Sequence, residues 1–178
     1  PKGTILFSQV RCGKMPSSFN MYKFRSMYVD AEERLAELQH LNEQSGPVFK
    51  MKNDPRVTKV GKFIRKTSLD ELPELFNVFK GDMSLVGPRP LLVEYKKLYS
   101  KEQFRRHEVR PGITGWAQVN GRNTVAWSDR FKMDVDYVDS QNVILDFKIL
   151  FMTFYKVVKR DGISQDGHVT MEKFNGSN

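Results

Sequence analysis

The stretch from Arg65 to Pro90 reads R-K-T-S-L-D-E-L-P-E-L-F-N-V-F-K-G-D-M-S-L-V-G-P-R-P. Asp70 and Glu71 stand side by side near its start. Arg65 precedes them, and a Gly-Pro-Arg-Pro turn at residues 87–90 follows. Ser68 and Glu71 have the S-x-x-E spacing of a capping box. Pro73 is tolerated only near a first turn, which places the predicted helix start close to Asp70. Leu72, Leu75, Phe76 and Phe79 then recur at helical spacing, and Gly81 stops the helix. Two chemistries share this pattern. First-turn carboxylates complement a helix dipole. Adjacent carboxylates with arginines nearby are also what metal-assisted phosphoryl transfer requires. The local pattern leaves both open.

Upstream, Thr4–Val10 is apolar and β-branched, and Phe19–Phe24 alternates aromatic and polar residues. Together they predict a hairpin turned at Cys12-Gly13-Lys14. Lys23 and Arg25 flank Phe24 and read as basic residues on a solvated strand face. Asp30 opens a predicted surface helix with Glu33 as its capping partner. Ala31, Leu35, Leu38 and Leu41 form its apolar stripe, and Ser45-Gly46-Pro47 ends it. Phe49 and Met51 alternate with lysines in a short extended piece. Val57–Arg65 has helical spacing, weakened by Gly61.

Downstream, Pro88 and Pro90 stiffen the backbone around Arg89. Leu91–Tyr99 and Ser100–Val109 predict two short helices, the second basic and capped by Ser100. Residues 110–123, R-P-G-I-T-G-W-A-Q-V-N-G-R-N, read as a shaped loop in which Arg122 is sterically open to a bidentate phosphate contact. Thr124 caps a predicted helix to about Val138. Asp134, Asp136, Asp139 and Asp146 form a loose acidic series without EF-hand spacing. Val143–Lys159 is the most apolar segment. It suits either a core helix or a helix lying in a membrane interface. Residues 161–178 read as a loose tail.

The chain has 178 residues, enough for one domain with a real core. No linker or repeat divides it. The elements predict an α+β, mainly helical single domain over residues 1–178, with a small antiparallel hairpin near the N-terminus and amphipathic interfacial helices. The net charge of +8 implies anionic company: nucleotide, nucleic acid or an acidic membrane face. Cys12 is the only cysteine, which excludes an intramolecular disulfide and a thiolate zinc cluster. His40, His107 and His168 make no spaced ligand set. No P-loop, RNP, helix-turn-helix or zinc pattern occurs. No signal peptide is visible, and no apolar run reaches the roughly 18–20 residues of a membrane span. The start at Pro1 suggests a fragment or a processed form.

Three blocks taken together carry a resemblance: K-F-R-S-M at 23–27, T-S-L-D-E-L-P-E-L-F-N-V-F-K-G-D-M-S-L-V-G-P-R-P at 67–90, and residues 110–123. They resemble the bacterial sugar transferases, the monotopic polyprenyl-phosphate phosphoglycosyl transferases. Gly46–Thr58 is similar to the longer members that prime O-antigen, capsule or exopolysaccharide synthesis. Lys159–Asn175 is more similar to the small members of protein glycosylation pathways. The resemblance implies transfer of a phosphosugar from a UDP-sugar to polyprenyl phosphate, with Mg²⁺ and release of UMP. It implies Asp70 as nucleophile and Glu71 as metal ligand or proton manager, both close to the metal. Arg65, Arg89 and Arg122 are the implied phosphate clamps, and Asp134 and Asp146 match further acidic positions of substrate binding. It also implies the cytoplasmic face of the bacterial inner membrane, and an N-terminal hydrophobic helix that lies before residue 1. Two other readings of the composition are a basic nucleic-acid-binding module and an inactive membrane-surface scaffold. The intact Asp70-Glu71 pair weighs against the scaffold.

Overall fold

The computed structural model describes residues 3–38, 54–121, 126–159 and 174–176. β1 (Leu6–Cys12) and β2 (Ser18–Phe24) form the antiparallel hairpin, with Leu6 opposite Phe24 and Cys12 opposite Ser18. The alternation of β2 buries Phe19 and Met21 against Met83. α1 (Glu33–Leu38) begins three residues later than the Asp30 start, and the Asp30 side chain accepts from Arg34 Nε at 2.7 Å. The expected end of that helix, the Phe49–Met51 piece, Arg122 and Thr124 lie outside the described residues.

α2 (Lys59–Lys66) is capped by Thr58, whose hydroxyl accepts from Gly61 N at 2.8 Å. Gly61 costs helix propensity, yet the packing requires it. A Cβ there would sit 1.9 Å from Ser26 O.

The helix predicted to start near Asp70 is divided. Ser68 adopts a left-handed conformation (φ 56°) and its side chain makes no cap. A 3₁₀ turn covers Leu69–Glu71, and α3 (Glu74–Phe79) starts only after Pro73. Pro73 has no N–H to donate and stands at the cap position of α3, which explains the division. Asn77 is wholly buried and fastens α3 to β2: its Nδ2 donates to Asn20 O at 2.8 Å, and its Oδ1 accepts from Tyr22 N at 3.1 Å.

β3 (Ser84–Val86) pairs in parallel with β4 (Gly112–Thr114), and α5 (Trp116–Asn120) follows. The segment read as a loop at 110–123 is therefore partly strand and partly helix. Close backbone approach permits this, since a Cβ on Gly112 would lie 2.1 Å from Gly87 N. A 3₁₀ helix (Val93–Lys97), α4 (Lys101–Phe104) and a second 3₁₀ turn (Arg105–His107) come between the two strands. Ser100 and Gln103 form a full capping box on α4.

α6 (Trp127–Ser140) and α7 (Val143–Lys159) complete the layer. Two cores result. Tyr95, Trp127, Phe131 and Leu91 pack around Phe174, while Tyr137, Val119, Val86 and Ile149 pack beside them. Phe174 is 1% exposed, so the tail read as loose is docked at this residue, with its ring 4.8 Å from that of Phe131. The core reading of α7 does not hold along its length. Ile149 alone is buried, and the outer stripe Phe147, Phe151, Phe154 and Val158 stays exposed. No helix among the described residues is long and apolar enough to cross a membrane.

Gly61→Ala should lower unfolding free energy by about 1–3 kcal/mol, the cost of overpacking against a fixed carbonyl. Urea denaturation of the two proteins measures it, and an unchanged midpoint would show that Ser26 moves away freely.

Candidate active site

Period-two alternation puts Lys23 on the same face of β2 as Phe19 and Met21, toward the interior rather than toward solvent. Its Nζ lies 2.7 Å from Glu71 Oε1 and 3.1 Å from Glu74 Oε1. Only the Glu71 contact is aligned as a hydrogen bond, and Glu74 Oε1 is buried without one. From the other side, Arg89 Nη2 donates to the same Glu71 oxygen at 2.8 Å. Both cations bond to Oε1, which leaves Oε2 for another partner. Burial alone would raise the Glu71 pKa, but Arg89 and Lys23 outweigh it and hold it at about 2.

Asp70 stands next to this locked carboxylate in a different state. Burial lifts its pKa above the ordinary range; Lys23 opposes that, and the charge on Glu71 adds to it. Its carboxylate makes no ion pair among the described residues. Arg65, in the last turn of α2, is close enough for its charge to favour the ionised form of Asp70. Arg65 is oriented by its own Nε, which donates to Ser26 Oγ at 2.7 Å. Gly61 makes that reach geometrically available by letting α2 close on Ser26.

Arg89 is held by its backbone as well as by Glu71. Gly112 N donates to Pro88 O at 3.1 Å, and Arg106 Nη2 donates to Arg89 O at 2.8 Å. The structure thus brings together Asp70, Glu71, Arg65 and Arg89. Asp134 lies beneath them, 2% exposed, and accepts from Arg106 Nε and Nη2 at 2.9 and 2.8 Å. It touches Arg106 rather than open space. Asp146 is in the first turn of α7, accepts from Tyr137 Oη at 2.7 Å, and borders a groove of about 350 Å³ with Ser84, Arg110 and Leu150. Arg122 lies outside the described residues.

Sequence reasoning missed Lys23, Glu74, Ser26 and Arg106 as members of this constellation. Lys23 had a signal, since it shares the parity of two apolar residues. Glu74 and Arg106 had none beyond their neighbourhood. Among the described residues no three His, Cys, Asp or Glu side chains are grouped to hold a metal ion by themselves. Asp70 and the free oxygen of Glu71 offer two carboxylate positions, the number that suits an ion sharing its shell with phosphate and water.

Comparison with known proteins gives one answer. The bacterial sugar transferase family model matches residues 1–160. The chain belongs to the bacterial sugar transferase family. Over 173 residues it is 50% identical to an uncharacterized sugar transferase, EpsL, of Bacillus subtilis, covering 97% of this chain and 79% of the relative. It is 45% identical over 168 residues to the undecaprenyl-phosphate galactose phosphotransferase of Salmonella typhimurium, covering 90% of this chain and 34% of that protein. It is 40% identical over 162 residues to the UDP-glucose:undecaprenyl-phosphate glucose-1-phosphate transferase of Escherichia coli, covering 86% and 32%. The chain thus spans most of one relative and about a third of the other two.

The depressed Glu71 pKa has a thermodynamic sign. A carboxylate with a lowered folded-state pKa adds stability that is fully present above its unfolded value and is lost as pH falls toward the folded value. The window runs from the ordinary 4.5 down to about 2. The stability difference between wild type and Glu71→Gln should be constant above that window, on the order of 2–3 kcal/mol, and should close through it. Urea unfolding at stepped pH measures it. A difference that does not change across the window would remove the ion pairs as its source.

Proposed function

We propose that this chain transfers a sugar 1-phosphate from a UDP-sugar to polyprenyl phosphate, with Asp70 as the nucleophile. The observation that carries the reading is the contrast between neighbours. Glu71 is pinned by two cations, whereas Asp70 is half-buried and makes no ion pair among the described residues. A carboxylate without a neutralising partner, beside positive charge placed for phosphate, is arranged to attack rather than to bridge. The names of the Salmonella and Escherichia coli relatives support the donor and acceptor classes.

The first step forms a bond from an Asp70 carboxylate oxygen to the sugar-bearing phosphorus of the donor. The phosphoanhydride bond to UMP breaks, and its electron pair leaves with UMP. In the second step an oxygen of polyprenyl phosphate attacks the same phosphorus, and the Asp70 carboxylate leaves. Charges and atoms balance without any redox partner. Arg65 and Arg89 steady the phosphate oxygens, and Arg122 is assigned the same task from its sequence block. Guanidinium forks suit this because each can present two parallel donors. Burial raises the Asp70 pKa, which makes its carboxylate form more nucleophilic than an ordinary one, while Lys23 and Arg65 favour that form. Asp70 and Glu71 are the residues that would hold Mg²⁺, which when bound would neutralise negative charge on the diphosphate. Glu71 and the phosphate groups would complete its shell.

The acceptor lives in a membrane, and the outer surface of the protein is suited to meet one. Phe147, Phe151 and Phe154 on α7 are 67–71% exposed, and Leu75, Phe76 and Phe79 on α3 are also open. An apolar stripe of this kind on a water-facing helix marks an interface with apolar material. Lys148 and Lys159 flank the stripe over Trp116 and Tyr155, where a lysine reaches headgroup level. We assign this face to the cytoplasmic surface of the inner membrane.

Intact-mass measurement after mixing with Mg²⁺ and a panel of UDP-sugars should show a phosphosugar adduct on wild type and equimolar UMP release. Asp70→Asn should give neither. An equal adduct on Asp70→Asn would displace the nucleophile, and no adduct with any donor would remove the reaction. Arg89→Ala should slow adduct formation by roughly 10²–10³-fold, the cost of one charged donor to a developing oxyanion. The paired change Phe147→Asp with Phe151→Asp should weaken sedimentation with anionic vesicles by roughly tenfold or more while leaving the circular dichroism spectrum intact, because two aromatic side chains are then withheld from the lipid.

A further inference from the structure

Arg106 is buried at 2% exposure, and its guanidinium does two things at once. Its Nε and Nη2 grip one oxygen of Asp134, and the same Nη2 reaches the Arg89 carbonyl at 2.8 Å. The rings of Tyr99 and Phe131 pack against it together, their centroids 6.0 and 5.5 Å from the guanidinium carbon. A buried ion pair made only for stability is replaceable by apolar residues of similar size. The link to Arg89 O is not replaceable in that way, because it needs a donor in a planar fork already fixed by Asp134.

The rest of the turn shows why that link matters. Arg89 stands between two prolines, so its own backbone is confined to extended geometry. Pro88 O is tied to Gly112 N. The Arg89 carbonyl is the remaining point about which the peptide could rotate, and Arg106 holds it. The Arg89 side chain then runs from this fixed base to Glu71. We infer that Arg106, anchored by Asp134, is a positioning residue that sets the reach of Arg89 to Glu71 and to phosphate. This inference rests on the phosphate role of Arg89 proposed above. It also gives Asp134 a task that needs no contact with substrate.

The test is a pair of folded variants examined in two backgrounds. Arg106→Lys keeps the charge beside Asp134 but cannot also span to the Arg89 carbonyl. The double change Arg106→Met with Asp134→Leu removes both charges together, and it carries the test should the lysine variant fail to fold. Adduct formation on Asp70 should slow by roughly tenfold or more in either variant, as expected when a positioned group drifts by a fraction of an ångström. In the Arg89→Ala background the same changes should cost nothing further, because the residue they act through is gone. Hydrogen exchange followed by mass spectrometry should rise in the peptide covering residues 84–92 and stay unchanged in the β1–β2 hairpin. An equal rate loss with and without Arg89, or an unchanged 84–92 peptide in a folded variant, would overturn the positioning role. If wild type forms no adduct at all, the reaction assignment fails, and the exchange pattern alone decides whether Arg106 holds the turn.

Discussion

The carboxylate of Glu71 is the point on which the site depends. Lys23 reaches it from β2 and Arg89 from the 87–90 turn, at 2.7 and 2.8 Å on one oxygen. Three separated parts of the chain meet there, and each is fastened by something else. β2 is tied to α3 through Asn77, the turn is tied to β4 through Gly112, and α2 is tied to Ser26 through the missing side chain of Gly61. Breaking the Glu71 contacts would leave Arg89 and a partly buried carboxylate without this partner and Lys23 with Glu74 alone, which costs more than losing a single surface pair. The same contacts also decide what Asp70 can be. With Lys23 and Arg89 committed to Glu71, the adjacent carboxylate retains attractive charge around it, that of Arg65 included, without being paired with it.

Glycine does more here than permit turns. At Gly61 and Gly112 the neighbouring backbone is so near that any side chain would overlap it. Both contacts pull a cation-bearing segment inward: the first carries Arg65, the second the turn with Arg89. A helix containing Gly61 loses about 1 kcal/mol of propensity relative to alanine. The packing it allows outweighs that, since the Arg65 guanidinium finds its hydroxyl partner only at this separation.

Much of the chain was legible beforehand, for reasons that can be named. The hairpin showed itself through alternation, α4 through its serine cap, and α6 and α7 through their length. The closeness of Glu71 and Arg89 was suggested by a motif that places Asp70, Glu71 and Arg89 within one short stretch. What was not legible depends on distance in sequence. Glu71 meets Lys23 across 48 positions, and Arg106 meets Asp134 across 28, so no local spacing announces either pair. Ser68 looked like a cap because its spacing to Glu71 is right, yet Pro73 pushes the true helix start past both. The segment at 110–123 looked like a loop because its glycines suggest freedom, whereas Gly112 and Gly115 serve close contact with Gly87. Phe174 looked like part of a tail because its neighbours are polar, and a single aromatic residue gives no period to read.

α7 joins the two halves of the proposed reaction. Its inner stripe packs Ile149 against Val86 and Val119, and Thr153 shares a hydrogen bond of 2.7 Å with Thr114 of β4. Val86 immediately precedes the turn that carries Arg89, and Thr114 O accepts from Gly87 N at 2.9 Å. Its outer stripe is the most apolar exposed surface of the helix. One helix of 17 residues therefore has exposed apolar side chains on one side and the support of the 87–90 turn on the other. An acceptor held in a membrane presents its phosphate at a fixed height. Under the proposed membrane assignment, a turn braced on the helix that faces the lipid would reach that phosphate without a further adjustable joint.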